Sequence, residues 1–368
     1  MRALSVSGKS RANRNFFRIR STTMRKSIIF LTALLAFPMW LKAQMKIHVM
    51  DVGQADSIHL EFKKAAVLVD AGGESTGDDR DKQHLLSDLS AFFTARPDLN
   101  KTLYAVIISH AHIDHTKLLM NVLQNFKVKY FYDGGDIVGS GAAQLKKART
   151  YATAHGTKYL AIEDDSITDQ GFTPPGLKQL ATSSSVDITF LTGSRNCENQ
   201  NNNSLVVRVH YKNTTAILSG DSETDGDGGC DEGQVAHLLG RYHSSDLLAA
   251  DIYKVGHHGS ANGTDEDFVK ALSPKIAVIS AGHKETQSPG NFHAFFFGHP
   301  REDVVEILEA NTTRTRSPAI TGYTYIKGKQ IKEGRTVNKA IYCTCWDNDI
   351  TIDVNSAGDQ ITVSAAEH

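Results

Sequence analysis

The sequence predicts an α/β protein in which two mixed sheets pack face to face and helices cover their outer surfaces. Two observations carry this prediction. From residue 45 onward, short apolar runs of strand length alternate with segments whose apolar residues have helical spacing. Both halves of this region are rich in strands, and each half is closed by helices. The expected architecture is therefore a four-layer αββα sandwich, and no internal repeat is visible.

The first half begins with a meander of three predicted strands, at residues 46–50, 57–62 and 66–69. An amphipathic helix follows at residues 81–95. The next elements alternate strand and helix, at residues 103–109, 116–126, 128–132 and 142–154. Residues 156–185 are mixed, and Pro174-Pro175-Gly176 is interpreted as a breaker.

The second half contains more strands than helices. Strands are predicted at residues 186–191, 204–210, 214–219, 251–255 and 276–280, and the second and third of these form a hairpin through Lys212-Asn213. Helices are predicted at residues 235–248 and 301–310. Four strands complete the chain, at residues 320–326, 340–345, 349–354 and 360–364. We therefore predict one domain over residues 45–326 and a small β-rich extension, packed on its second half, over residues 327–368.

The first 44 residues differ in kind from the rest. Arg25-Lys26 precede a short apolar run that is interrupted by Pro38, and Ala43 offers a small residue before Gln44. This pattern predicts a secretory signal peptide that starts at Met24, preceded by an upstream extension. The run is too short for a membrane span, so we expect none in the mature chain. The protein is predicted to be secreted or periplasmic.

Removal of the leader makes the protein strongly acidic. Residues 1–43 carry nine of the 40 Lys/Arg and none of the 41 Asp/Glu, which leaves a formal charge of −10. A surface of this sign is poorly suited to the long-range capture of duplex nucleic acid. A small phosphodiester or a short nucleic acid fits the charge better, and nothing in the sequence implies an obligate protein partner.

The chain contains four cysteines, an even number that permits disulfides in an exported protein. Cys197 and Cys230 lie in Gly/Asn/Asp-rich loops that flank the same strands, so we expect them to bond to each other. Cys343 and Cys345 are two residues apart on a strand-like run. Because no second pair accompanies them, packing or a small disulfide is favoured over zinc binding.

The motif HAHIDH at residues 110–115, called the hexad below, directly follows the buried strand predicted at 103–109. Neutral imidazoles and carboxylates are ligands that suit zinc, iron or manganese. His110, His112, Asp114 and His115 are four such ligands on one short turn, enough to converge on two adjacent ions. A solvated, histidine-rich loop is the alternative, but the spacing of the hexad favours a metal centre.

Three other strand-like runs end in residues of the same chemistry. Asp70 follows one strand and is itself followed by glycines, so it is either a turn former or a hydrogen-bond partner of a neighbouring loop. Asp221 follows another strand, and a carboxylate there can reach two ions with its two oxygens. His257 and His258 follow a third strand between glycines.

The hexad and these positions resemble the metallo-β-lactamase superfamily. The segments at residues 51–57, 203–207, 257–260 and 298–300 further resemble the hydrolase domain of ComEC-type competence proteins. The resemblance implies two divalent ions, zinc or manganese, bound by six residues: His110, His112, Asp114, His115, Asp221 and His257. It also implies that Asp70 orients the ligand loop, that Asp221 bridges the ions, and that His258 supports the ligands or transfers protons.

The sequence departs from the superfamily pattern at residues 199–203. A histidine usually precedes the strand that leads to the bridging aspartate, whereas here Asn199 begins an asparagine-rich stretch without histidine. An ion at this position would then have His110, His112 and Asp221 as ligands, with water or an asparagine side chain as the fourth. Such a site should bind its metal more weakly and tolerate manganese better.

The resemblance implies a metal-dependent hydrolase, most simply a phosphodiesterase whose metals activate a bridging water. Asp114, His258 and His299 are the candidate catalytic residues, and His299 is a candidate proton donor or phosphate contact. Arg314 and Arg316 are candidate phosphate-binding cations. The alternatives are hydrolysis of a lactam, lactone or thioester on the same metals, and a non-catalytic binding module of the same fold.

Overall fold

The computed structural model describes residues 45–74, 80–227, 229–284, 294–327 and 330–366. The predicted signal peptide lies outside these residues. The strands are β1 (Met45–Val49), β2 (Ile58–Phe62), β3 (Ala65–Val69), β4 (Thr102–Ile107), β5 (Lys127–Asp133), β6 (Lys158–Ala161), β7 (Val186–Phe190), β8 (Val207–Tyr211), β9 (Thr214–Leu218), β10 (Ile252–Lys254), β11 (Ile276–Ile279), β12 (Thr315–Ile326), β13 (Gln330–Lys339), β14 (Ile341–Cys343), β15 (Ile350–Val354) and β16 (Ile361–Ala365).

The helices follow the apolar periodicity of the sequence. They are α1 (Arg80–Ala95), α2 (Ile113–Thr116), α3 (Leu119–Asn125), α4 (Ala142–Ala154), α5 (Pro175–Ser184), α6 (Gln234–Tyr242), α7 (Glu266–Leu272), α8 (Ala294–Phe297), α9 (Glu302–Asn311) and α10 (Thr344–Asp347). Helix α1, for example, buries Leu85, Leu89 and Phe93 on one face.

The strands form two large sheets and one ribbon. One sheet has the order β16-β15-β1-β2-β3-β4-β5-β6, the other has the order β14-β11-β10-β9-β8-β7, and β12 and β13 form an antiparallel pair. One apolar cluster joins side chains of both sheets, including Val67 and Val207. A second cluster packs α1, α3 and α4 on the first sheet, and a third packs α6, α7 and α9 on the other. The predicted αββα sandwich is confirmed.

Parallel strand pairs bring the predicted functional residues to one edge of the sandwich. In the first sheet β3 is parallel to β4, and in the second β9 is parallel to β10. Asp70 follows β3, the hexad follows β4, Asp221 follows β9 and the His257-His258 pair follows β10. Because carboxyl ends of parallel strands lie at the same sheet edge, four distant segments meet there.

The C-terminal region differs from the expectation of an appendage on the second half. Strand β15 pairs with β1 in the first sheet, with Ile352 opposite Ile47, whereas β14 pairs with β11 in the second. The extension therefore completes both sheets. Ile47 and Ile352 are 305 positions apart in the chain, and such pairing is not visible in local periodicity.

Three local predictions are also corrected. The Pro174-Pro175-Gly176 segment begins helix α5 because Pro175 occupies its first turn, where no intrahelical N–H is needed. Residues 200–203 form a 3₁₀ turn, so the following strand starts at Val207 rather than Ser204. Helix α7 was not predicted, although the Asp265 side chain caps it by accepting a hydrogen bond from Phe268 N.

Both cysteine pairs form disulfides. The expected Cys197–Cys230 bond is present, and Cys343 bonds to Cys345 at the beginning of α10. Every cysteine in the described part of the chain is therefore oxidised. No helix among the described residues is long and apolar enough to cross a bilayer.

Candidate metal centre

Asp70 holds the hexad in place. It follows β3 with φ of 60°, a left-handed conformation that is uncommon for aspartate and typical of functional turns. Its Oδ1 accepts a hydrogen bond from Ser109 N at 2.7 Å, and its Oδ2 accepts from Ser109 Oγ and from His115 Nδ1, both at 2.9 Å. A buried carboxylate thus ties the start of the hexad to its last histidine.

Four side chains converge at the carboxyl ends of the strands, and we call Asp114, His115, Asp221 and His258 the tetrad. One ligand-type atom from each lies within 4.8 Å of the others. His258 Nε2 lies 3.3 Å from Asp114 Oδ2 and 3.4 Å from Asp221 Oδ2. His115 Nε2 lies 3.3 Å from Asp221 Oδ2. Helix α2 contributes Asp114 and His115 from its first turn, so the hexad itself begins the helix.

The hydrogen bonds of the two tetrad histidines fit a metal site. His115 Nδ1 donates to Asp70, and His258 Nδ1 donates to the carbonyl oxygen of Ser280 at 2.9 Å. Once the proton on Nε2 is displaced, each ring presents its Nε2 lone pair to the tetrad, the tautomer that a metal ligand needs. His115 Nε2 and Asp221 Oδ1 are fully buried without a hydrogen-bond partner. Unsatisfied buried acceptors cost free energy, and a cation would satisfy both.

The carboxylates dominate the electrostatics of the tetrad. Burial alone would lower the pKa of His258, but Asp221 and Asp114 raise it to about 10. Burial alone would raise the pKa of Asp221, but His258 and His115 hold it well below its usual range. Because a metal requires unprotonated imidazoles, binding of an ion here should displace protons.

His110 and His112 form a second pair of imidazoles near Asp221. His110 Nε2 is 4.0 Å from Asp221 Oδ2 and 3.0 Å from His112 Nδ1. Burial and the neighbouring histidines hold the pKa of His110 well below its usual value, and burial lowers that of His112. These imidazoles are therefore neutral near pH 7, as metal ligands must be.

The structure brings His258 rather than His257 into the tetrad. His257 Nε2 stays 4.0 Å from Asp221 Oδ2, and His257 Nδ1 lies 3.1 Å from Glu223 Oε1. Both histidines have positive φ, 45° and 54°, in a 3₁₀ turn. The geometry therefore favours His258 as the imidazole of the tetrad over His257, the ligand that the resemblance implied.

The asparagine stretch reaches the centre through Asn201. Its Nδ2 donates to Glu223 Oε1 at 2.6 Å and lies 3.4 Å from His257 Nε2. Its Oδ1 is buried and has no hydrogen-bond partner. Asn199 instead caps the turn and donates to Glu223 Oε2 at 2.7 Å. Gln200 Oε1 is likewise buried without a partner, but Asn201 is the residue of this stretch with a contact to a histidine of the centre, so its amide oxygen is the better candidate for a cation.

His299 lies over the histidine pair. Its ring centroid is 5.5 Å from that of His257 and 6.3 Å from that of His258. Its Nδ1 is 3.0 Å from Nε2 of Gln54. Burial, His257 and His258 hold the pKa of His299 well below its usual value.

The two candidate phosphate-binding arginines are engaged elsewhere. Arg316 is buried against Asp347, with 2.6 Å between Nη2 and Oδ1, and also donates to the carbonyl oxygen of Ile341. Arg314 donates to the carbonyl oxygen of Ile361 at 2.7 Å. Both guanidinium groups therefore tie β12 to the C-terminal region.

Sequence reasoning assigned no role to Gln54, Asp56 and Glu223, which all lie beside the centre. Asp56 Oδ2 pairs with the buried Lys254 at 2.8 Å, and its Oδ1 is 3.8 Å from His258 Nδ1. Gln54 and Asp56 belong to the segment at residues 51–57 that carries the competence-type resemblance. The sequence therefore marked this segment as functional. It did not indicate what Gln54 and Asp56 contact, because their partners are distant in sequence.

Comparison with known proteins identifies the family of this chain. The model of the metallo-β-lactamase superfamily matches residues 50–283. ComE operon protein 3 of Bacillus subtilis is 29% identical over 286 residues, which cover 74% of this chain and 32% of that protein. Competence protein ComA of Neisseria gonorrhoeae is 28% identical over 138 residues, which cover 37% of this chain and 17% of ComA. The chain thus spans a third or less of these relatives.

Among solved structures, the chain is similar to the metallo-β-lactamase fold protein YhfI from Bacillus subtilis. It is 14% identical, with a TM-score of 0.42, over 80% of this chain and 99% of YhfI. The fold and the His/Asp cluster define a class of proteins that are mostly metal-dependent hydrolases. The chain belongs to the metallo-β-lactamase superfamily and is similar to the corresponding part of ComEC-type competence proteins.

Proposed function

We propose that this protein is an exported, dinuclear metal-dependent phosphodiesterase. The observation that carries the proposal is the tetrad, in which His115 and His258 both direct Nε2 toward the shared carboxylate of Asp221. Each ring is held in that orientation by a hydrogen bond at Nδ1. Rigidly oriented imidazoles around a buried carboxylate are the arrangement that a catalytic metal requires.

In this proposal the tetrad holds one divalent ion, and His110, His112 and Asp221 hold a second. The amide oxygen of Asn201 is the candidate fourth ligand of the second ion. Zinc suits both sets, each of which has two imidazoles, and manganese should be tolerated better at the site of the second ion, where the superfamily pattern has a third histidine and this chain has asparagine. Bound ions would lower the pKa of a water molecule to near neutral pH and would stabilise negative charge on a phosphate.

The substrate class is proposed from His299 and from the charge of the protein. A phosphodiester has charged non-bridging oxygens that need hydrogen-bond donors in the transition state. His299 is a neutral imidazole beside the ligands, and we assign it to contact the phosphate or the leaving group. With its leader removed the chain has a formal charge of −10, so small or short phosphodiesters fit better than long duplex DNA.

Two features of the chain support export, namely its N-terminal pattern and its disulfides. Residues 25–43 have the pattern of a signal peptide, and all four cysteines form disulfides. Disulfides persist in oxidising compartments outside the cytoplasm.

The test compares substrates and one variant. Purified mature protein, loaded with zinc or manganese, is assayed on bis-nitrophenyl phosphate, nitrocefin and a lactone. We expect phosphodiester turnover, lowered at least about tenfold by His299→Ala without loss of metal. His243→Ala, an exposed histidine outside the centre, is the matched control. Efficient turnover of nitrocefin or the lactone without phosphodiester turnover would show that the substrate class is wrong.

A further inference from the structure

Gln54 lies between the backbone of one loop and the imidazole of His299. Its side chain is buried, in the segment between β1 and β2. Its Oε1 accepts a hydrogen bond from Gly282 N at 3.3 Å, and its Nε2 is 3.0 Å from His299 Nδ1. Gln54 therefore connects residues that are 228 and 245 positions away in the chain.

The backbone at Gly282 determines the orientation of this amide. A backbone N–H can only donate, so the atom of Gln54 that faces Gly282 must be the carbonyl oxygen. The amide nitrogen must then face His299. Since an amide nitrogen can only donate, His299 Nδ1 must accept, and an imidazole nitrogen that accepts carries no proton. A neutral His299 ring therefore has its proton on Nε2.

Close packing leaves Gln54 little freedom to turn over. Gln54 N donates to Glu74 Oε2 at 3.2 Å. A methyl group added at Gly53 would lie 2.3 Å from Glu74 Oε2, and one added at Gly282 would lie 2.9 Å from Gln54 N. Side chains at either glycine would separate the two loops that hold the amide. The two glycines thus allow the approach that places Gln54 against His299.

We propose that Gln54 is a positioning residue that holds His299 as its Nε2–H tautomer. Among the described residues no side chain hydrogen bonds to His299 Nε2, so this N–H is available to an incoming ligand. The role of this tautomer in catalysis rests on the proposed function. With its proton on Nε2, His299 can donate a hydrogen bond to an anionic oxygen of the phosphodiester. The opposite tautomer would present a lone pair and repel that oxygen.

Nitrogen-15 NMR tests the tautomer without any assay of activity. The protein is labelled with ¹⁵N-histidine, and the ring signals of His299 are identified by their absence in His299→Ala. We expect long-range ¹H–¹⁵N correlations of His299 to show a protonated Nε2 and an unprotonated Nδ1 in the wild type. A protonated Nδ1 in the wild type would overturn the proposal, whatever the substrate of the protein is.

Substitution of Gln54 then tests control of the tautomer. In Gln54→Glu a carboxylate faces His299, and because it accepts a hydrogen bond, the His299 proton should move to Nδ1. Phosphodiester turnover should fall at least about tenfold with metal content unchanged. Gln54→Met keeps the volume without a donor, so it should give a mixture of tautomers. An unchanged His299 spectrum in both variants would refute the role of Gln54. If a variant does not fold, the wild-type spectrum still shows which nitrogen of His299 carries the proton.

Discussion

The metal centre has two sides, one for each proposed ion, and they differ in how closely their ligand-type side chains approach one another. The tetrad combines two carboxylates and two imidazoles within 4.8 Å of one another. The other side, which we call the outer group, is the proposed second ligand set of His110, His112 and Asn201, and in the proposal it shares Asp221 with the tetrad. Its His110 Nε2 lies 4.0 Å from Asp221 Oδ2. The tetrad is therefore a compact four-ligand site, and the outer group is looser.

The difference follows from what orients each imidazole. His115 and His258 have oxygen partners at Nδ1, from Asp70 and from Ser280. His110 also has an oxygen near Nδ1, Ser109 Oγ at 3.1 Å, but His110 Nε2 and His112 Nδ1 are 3.0 Å apart, so these two rings orient each other. A ring with a firm hydrogen-bond partner binds metal with less loss of conformational entropy. We therefore expect the ion in the tetrad to bind more tightly than the ion in the outer group.

Asp221→Ala should have the largest effect, because Asp221 belongs to both sides. We expect both ions to be lost and turnover to fall to background, on the order of a thousandfold or more below wild type. Elemental analysis and the phosphodiester assay measure this. Asp225→Ala, an exposed aspartate four residues later, is the control and should retain both ions. Two tightly bound ions in Asp221→Ala would show that the sides do not share this ligand.

His258→Ala and His257→Ala form a matched pair of adjacent imidazoles. Removal of His258 deprives the tetrad of a ligand, so we expect the loss of about one ion per chain and of most activity. His257 has Nδ1 against Glu223, and its removal should leave the metal content unchanged. Metal titration by calorimetry distinguishes the two variants. Equal metal loss in both would contradict the assignment of His258 to the tetrad.

Asn201→His should make the outer group more like the tetrad. The substitution adds an imidazole where Asn201 Oδ1 has no partner. We expect the weaker of two zinc affinities to rise at least about tenfold, the low end of effects from altered ligand surroundings. Asn199→His is the control, because Asn199 contacts Glu223 and not His257. An unchanged weaker affinity would indicate that water, rather than the side chain at 201, completes the outer group.

His59 shows what burial does to a histidine that lacks the carboxylates of the tetrad. Its ring is buried between His48 and Phe92, and neither nitrogen has a hydrogen-bond partner. Burial, with a smaller contribution from His48, lowers the pKa of His59 from 6.5 to about 3. Between these values the unfolded chain binds a proton that the folded chain does not, so stability is lost as pH falls through this window.

His59→Phe should therefore reduce the loss of stability in acid. In the wild type we expect the free energy of unfolding to fall by about 2 kcal/mol between neutral pH and about pH 5 because of His59. His59→Phe should remove this part of the pH dependence. Urea unfolding of the metal-free protein at both pH values measures it. Identical pH dependence in wild type and variant would show that His59 is protonated inside the fold.

The chemistry of the centre was largely predictable from the sequence. The hexad carries its ligands within six residues, directly after a run of strand character, and Asp221 follows another such run. Strand length and helical periodicity are also local signals, and the Cys197–Cys230 pairing was expected from the loops that carry both residues. Local spacing was sufficient because the ligands of one turn share one short piece of backbone.

Tertiary structure decided two questions: where the side chains of a strained turn point, and which segments distant in sequence come into contact. His257 and His258 both adopt positive φ, so the alternation of side chains along β10 does not extend to them, and only the fold shows that His258 enters the tetrad. Gln54 meets His299, and β15 meets β1, across more than 240 residues. Local propensity carries no information on such contacts, because they form only when the burial of two sheets against each other brings the loops together.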